Sequence, residues 1–311
     1  MWTVIQIVAP VFLIIGLGWA IRRIGLVDDA FFQQTNKLVF YVCLPLLLIY
    51  KIGTADFSAS FNIRLILAVA GSTGCCFLLA YLYGMYRGYA APVLGAFCQG
   101  SFRGNLAYIG LALIYNAYGN PGLARAGILL GFMVPVLNFF AILALILPNQ
   151  QQCIRYGEIA RQMGTNPLIL SSLVGICWSF FHLPMPVVLD RSLSIAGGMT
   201  LPLALLAIGG NFSMARLRGD LTTAGLATFI KLFVLPLVTA SFLFLLGVTG
   251  LDYAIGLLMA GAPAAVATYI MACRMGGDGR LAGTIVVMST GASALSYTLL
   301  LLYLHAVTLA R

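Results

Sequence analysis

Two cations, Arg103 and Lys231, each stand inside a long apolar run. A cation at the centre of a hydrocarbon layer costs about 3 kcal/mol or more, so it normally faces a partner or a cavity rather than lipid. Arg103 belongs to Gly100-Ser101-Phe102-Arg103-Gly104-Asn105, with Tyr108 shortly after. Two glycines and a serine weaken a helix, and polar side chains can take up the backbone groups that a break releases. Gly261-Ala262-Pro263 stands at the corresponding depth in the second half of the chain. Its proline removes a donor and clashes with the preceding turn. Each break leaves unpaired N–H groups and a positive dipole end at the start of the next helix piece. The acids all fall in loops or at segment ends. Arg103, with Gly104, Asn105 and Tyr108, is therefore a candidate counter-charge for an anion. Pro263, Ala264 and Tyr269 take the matching places in the later segment. The bland reading of Arg103 is that it caps broken-helix carbonyls or lies nearer an interface. Lys231 is the weaker candidate, because its long stem can snorkel.

Membrane-crossing helices must position these residues. Of the 311 residues, 61% are hydrophobic and 8% charged. A soluble domain carries about a quarter charged residues, so a water-facing globule is excluded, and so is disorder. A helical crossing needs roughly 20 apolar residues, and the chain offers about ten such stretches. A porin-like barrel would alternate apolar and polar residues over short segments, which this chain does not do. The crossings are expected at 3–21, 36–52, 63–86, 91–117, 123–147, 167–183, 192–211, 222–247, 252–273 and 281–304. The run Trp2–Ile21 precedes Arg22-Arg23, the reverse of a cleaved signal peptide, which predicts a retained first crossing with its N-terminus outside.

With that start, ten cations (Arg22, Arg23, Lys37, Arg87, Arg155, Arg161, Arg216, Arg218, Arg274 and Arg280) fall on the inner side. Five (Lys51, Arg64, Arg125, Arg191 and Arg311) fall on the outer side. The asymmetry predicts both termini outside. It also explains the net charge of +9 without a nucleic-acid partner. Cys43, Cys98 and Cys177 sit in apolar runs and read as small buried hydrophobes. His182 and His305 lack metal-ligand company, and the Gly276–Arg280 loop lacks the Lys-Ser/Thr of a phosphate cradle. No nucleophile–base pair emerges, so neither an enzyme nor a cofactor is expected.

The chain repeats itself. Gly16 and Trp19 recur as Gly175 and Trp178, and Leu44-Pro45-Leu46 recurs as Leu201-Pro202-Leu203. Gly95, Gly100, Tyr108 and Ile109 recur as Gly256, Gly261, Tyr269 and Ile270, and Ala126-Gly127 as Ala282-Gly283. The hydrophilic stretch Pro148 to Asn166, with Gln150, Gln151, Gln152, Arg155, Glu158 and Arg161, lies between the copies. The expected organisation is a five-helix repeat over 1–148, a cytoplasmic linker over 149–166 and a second repeat over 167–311. An odd number of crossings inverts the second copy, a hallmark of secondary transporters. The expected fold class is thus an all-α polytopic membrane protein of ten transmembrane helices, two inverted repeats with broken helices 4 and 9. Pro45 and Pro202 form a second symmetric pair, expected either to bend their helices around the site or to kink them for packing. Asn138 and Asn211 are expected to hydrogen-bond between helices.

These features together resemble the auxin efflux carrier family, which includes plant exporters and many bacterial carriers. The family-like stretches are Asn36-Lys37-Leu38 through Leu44-Pro45-Leu46, Arg103-Gly104-Asn105-Leu106-Ala107-Tyr108-Ile109-Gly110-Leu111, Thr165-Asn166-Pro167-Leu168-Ile169 and Ala262-Pro263-Ala264-Ala265-Val266. The resemblance covers essentially the whole chain. It implies a fold like that of bile-acid sodium symporters and sodium–proton antiporters. Helices 1, 2, 6 and 7 would form a scaffold, often dimeric, and helices 3–5 and 8–10 a moving transport domain. It implies small organic anions as substrates, carboxylates such as malate or malonate in bacteria, and a place in the bacterial inner membrane. By position it sets the crossing at Asn105 and Pro263. Two departures argue against auxin itself: the first break has no proline, and Val266 stands where an asparagine is expected opposite Asn105.

The leading expectation is an organic-anion carrier moving like an elevator. Sodium- or proton-coupled symport is the alternative within transport, with Ser289, Thr290 and Ser293 available to a cation. A non-transporting receptor is the alternative of another class, and it would need a soluble signalling domain that this sequence does not contain.

Overall fold

A computed structural model describes residues 2–148, 164–212 and 219–309, together with positions 157 and 161. The predicted linker charges Arg155 and Glu158, and Arg216 and Arg218 of the inner loop, lie outside the described residues.

Every regular element named below is helical. They are α1 (Trp2–Arg23), α2 (Asp29–Gly53), α3 (Ile63–Tyr86), α4 (Ala91–Phe102), α5 (Leu106–Ile146) and α6 (Pro167–Phe180). After them come α7 (Val187–Asn211), α8 (Leu221–Leu245), α9 (Gly250–Ala260), α10 (Val266–Arg274) and α11 (Gly279–Leu309). Seven helices among the described residues are long and apolar enough to cross a membrane, and α6 and α9 are shorter apolar helices. This is a polytopic membrane protein. The segment expected at 91–117 is α4 plus the start of α5. A kink at Gly119, whose φ of 60° and ψ of −150° are non-helical and suit glycine, separates it from the segment expected at 123–147, so α5 is two helical pieces joined end to end.

Helix starts follow the sequence. Asn62 caps α3 by accepting from the Arg64 and Leu65 N–H groups, and Asp220 caps α8 by accepting from those of Thr222 and Thr223. Prolines shape the interiors. In α2 and α8 one turn is widened to i→i+5 spacing, at Val39–Cys43 and Ile230–Val234, immediately before Leu44-Pro45 and Leu235-Pro236. A wider turn relieves the clash that the proline ring would make with the preceding carbonyl. In α1, Pro10 cannot bond the Gln6 carbonyl. Asn116 of α5 donates its Nδ2 there at 3.4 Å, and to the Ile7 carbonyl at 2.6 Å.

Packing is close where residues are small, as membrane helices require. α1 lies against the second part of α7, and a Cβ on Gly209 would stand 1.8 Å from the Ile15 carbonyl oxygen. α6 lies in the same way against the second part of α2, through Gly175 on Leu48 and Ile52. α3 packs on α8, where Thr239 donates to Ser72 at 2.8 Å. Cys43 and Cys98 are buried as expected, but Cys177 is exposed on α6. An apolar run facing lipid buries one side only, which the run itself does not reveal.

Candidate functional site

The site forms where two helices stop and restart. α4 ends at Phe102 and α5 begins at Leu106; α9 ends at Ala260 and α10 begins at Val266. The two extended breaks pair with each other in antiparallel sense at Gly104 and Ala264. The Asn105 N–H donates to the Pro263 carbonyl at 2.7 Å, and the Ala265 N–H to the Arg103 carbonyl at 3.0 Å. Ser289 of α11 takes the Ala264 N–H at 3.0 Å. Backbone groups freed in mid-membrane thus satisfy one another, as lipid surroundings demand. Gly104 fits closely here, because an added Cβ would lie 3.1–3.3 Å from Leu106, the Lys231 Nζ and the Ala262 carbonyl, each of which would have to give way by a few tenths of an ångström.

One side of this crossing opens into a cavity of about 400 Å³. Arg103, Gly104, Asn105 and Tyr108 line it, as do Ala265 and Val266, so the first turns of α5 and α10 both begin at its wall. Arg103 is nearly buried, with 9% exposure. Its Nη2 donates to Asn138 Oδ1 at 2.8 Å, and its Nη1 lies against the Met271 sulfur. With the Gln99 amide turned to suit both neighbours, Gln99 accepts from Nη1 at 3.2 Å and donates to the Thr268 carbonyl at 3.1 Å. Every one of these partners is neutral. Among the described residues the ion pairs are Arg22–Asp29 and Arg125–Asp252, away from this cavity. The guanidinium is oriented but not neutralised, and the two helix starts add to its positive field. Such a wall can hold a carboxylate.

The sequence-derived candidates divide. Arg103, Gly104, Asn105 and Tyr108 come together; Tyr108 also reaches the Asn36 carbonyl of α2 at 3.4 Å. Pro263 and Ala264 form the crossing rather than the cavity wall, and Ala264 is buried. Tyr269 and Pro45 are not among the lining residues. Pro202 lines a different cavity, of about 370 Å³, together with Lys51, Tyr115, Asn116 and Ser194.

Asn138 bonds between helices as expected, but its partner is Arg103, which makes it part of the site. Asn211 instead donates within its own helix, to the Ala207 carbonyl at 2.7 Å, and lines the cavity. Asn36, Lys37 and Asn166 line it too; the sequence placed them in family-like stretches without assigning them to the site. Their signal was polarity at the inner ends of apolar runs. Lys231 does not snorkel. Its side chain is fully buried and donates to the Ala260 carbonyl at 2.6 Å.

Several membrane-crossing helices, two of their rods interrupted and paired beside a cationic cavity, describe a multi-pass transporter. A family model for membrane transport proteins matches residues 3–159 and 156–301, and the chain belongs to that family, the auxin efflux carrier group. It is 24% identical over 298 residues to an uncharacterized transporter of Methanothermobacter thermautotrophicus, covering 94% of this chain and 96% of the other. It is 22% identical over 301 residues to one of Methanocaldococcus jannaschii, covering 93% and 95%. A Rhizobium meliloti protein provisionally named a malonate transporter is 24% identical over 219 residues, 68% of each chain.

Proposed function

We propose that this protein carries small organic anions, carboxylates such as malate or malonate, across the bacterial inner membrane by alternating access. The observation that carries the reading is Arg103: a guanidinium on a cavity wall, held only by neutral partners, beside two helix starts. The name of the Rhizobium meliloti relative supports the substrate class.

The architecture proposed for it is ten crossings in two inverted copies, 1–148 and 167–311, joined by 149–166. Matching breaks and matching capped starts of α3 and α8 support it. So does the exchange in which the first helix of each copy packs on the second helix of the other. In this reading α1, α2, α6 and α7 form the scaffold, through which two chains dimerise, while the paired breaks travel with α3–α5 and α8–α11. The cavity around Arg103 opens at the ends that bear Arg22, Arg23 and Lys37, which the charge asymmetry sets in the cytoplasm. The Lys51 cavity lies on the opposite side of the crossing and is the second access route. Both termini are then outside.

The test is uptake into liposomes of a panel of mono- and dicarboxylates, with membrane potential, pH and sodium varied separately. Saturable uptake of a carboxylate that competes with malonate is expected. A chain that moves no carboxylate under any of these gradients would end the reading.

A further inference from the structure

The second cation, Lys231, serves no part of the anion site, yet it is the more deeply enclosed of the two. It sits in the widened turn Ile230–Val234 of α8, with no exposed surface. Its Nζ donates at 2.6 Å to Ala260, the last carbonyl of α9. It also adjoins the other break, since a Cβ on Gly104 would come within 3.2 Å of that nitrogen. The ammonium therefore lies between the two interrupted helices, at the negative dipole end of α9. The first half solves the same problem differently. There the carbonyl of Ser101, near the end of α4, accepts from the buried thiol of Cys76 on α3 at 3.6 Å. A thiol faces one helix end and a lysine the other.

A charge enclosed in protein needs partners. Among the described residues no carboxylate pairs with Lys231. What accepts from it is a carbonyl oxygen at the negative end of a helix dipole, the kind of group that also draws a bare sodium ion. We propose that Lys231 is a tethered cation: its ammonium fills, between the two breaks, the place of a coupling ion. It is a positioning residue that acts through the geometry of the crossing. The carrier then needs no sodium. This statement of coupling rests on the carrier reading above; the occupancy of the position by a fixed charge does not.

Thermal unfolding of the full-length purified protein tests it, in sodium, lithium, potassium and choline chloride at equal ionic strength. The wild type should unfold at one temperature in all four. Lys231→Ala, which vacates the ammonium and its stem, should unfold several degrees lower in choline and recover at least half of that loss in sodium or lithium. Lys231→Met fills the same space without charge; it should be destabilised and should recover nothing. A merely space-filling role would leave Lys231→Met at the wild-type temperature and Lys231→Ala indifferent to the cation; either result overturns the proposal. If Lys231→Ala does not survive purification, two arms remain. A wild type stabilised specifically by sodium, or Lys231→Met as stable as wild type, overturns it. In liposomes, wild-type malonate uptake should not change when choline replaces sodium, and uptake by Lys231→Ala should become sodium-dependent. Failure of the wild type to move malonate would count against the carrier reading and leave the unfolding result standing.

Discussion

In the first break the chain leaves α4 through Arg103, Gly104 and Asn105, all on the cavity wall. In the second it leaves α9 through Gly261, Ala262 and Pro263, which meet other protein atoms, and it reaches the cavity at Ala265 and along the start of α10 through the apolar Val266, Ala267 and Ile270. The backbones do the same work, each supplying the other's missing hydrogen bonds. The side chains do not. One break lines the cavity with polar side chains; the other, with Lys231 behind it, packs into the protein. The two breaks share a backbone geometry, and polar side chains are distributed unequally between them.

The comparison breaks most visibly at Arg103. Arg103→Ala should weaken carboxylate binding about 10- to 100-fold, the worth of a charge-assisted hydrogen bond of about 1.5–3 kcal/mol. Calorimetric titration measures it, while an unchanged unfolding temperature shows that the crossing survives. Unchanged affinity would remove Arg103 from the site. Next comes Gly104→Val, which forces bulk between Leu106, Lys231 and the Ala262 carbonyl. Overpacking costs about 1–3 kcal/mol, so a lowered unfolding temperature together with lost uptake is expected.

Asn138→Ala sharpens the contrast, because it frees one Arg103 nitrogen without removing charge. Affinity should fall about three- to tenfold, corresponding to a single hydrogen bond of roughly 1 kcal/mol, and the dependence on ionic strength should remain. Pro263→Ala should change affinity less than Asn138→Ala, since the pairing with Asn105 uses the carbonyl of residue 263 and not its ring. A larger loss would give the second break a binding role.

The smallest effect is expected at a helix start outside the site. Asp220 is exposed, and hydrogen bonds from Thr223 and Thr222 hold its carboxyl below the usual range. A folded-state value below the unfolded one adds stability at neutral pH that is lost as pH falls through the lowered value. Asp220→Ala should therefore lower stability by about 1 kcal/mol at pH 7, with the difference from wild type shrinking in acid. Asn62→Ala, at the matching start of α3, should cost more, since it loses both the cap and the hydrogen bond that Asn62 donates to the Asp252 carboxylate at 2.7 Å.

Much of this was legible in the sequence, for identifiable reasons. The helices announce themselves by apolar length, and the breaks by Gly100, Gly104 and Pro263. Arg103 was visible because charge is costly in lipid. The convergence of Asn36, Asn138, Asn166 and Asn211 was not. In water an amphipathic stripe tells inside from outside; in a bilayer lipid-facing and protein-facing sides are both apolar, and periodicity loses its meaning. Cys177 was misjudged for the same reason. Lys231 was misread because stem length permits snorkelling. The widened turn and the helix ends that hold it inside are tertiary facts.

Pro10 has a consequence beyond α1. By leaving the Gln6 carbonyl without its usual donor, it opens the flank of the rod there, and the Asn116 amide of α5 settles at that opening, 2.6 Å from the Ile7 carbonyl and 3.4 Å from that of Gln6. Any slide of α5 along α1 must first unplug that amide, so an imperfection in one rod acts as a detent for the other. The two rods rest at a defined register instead of drifting past one another.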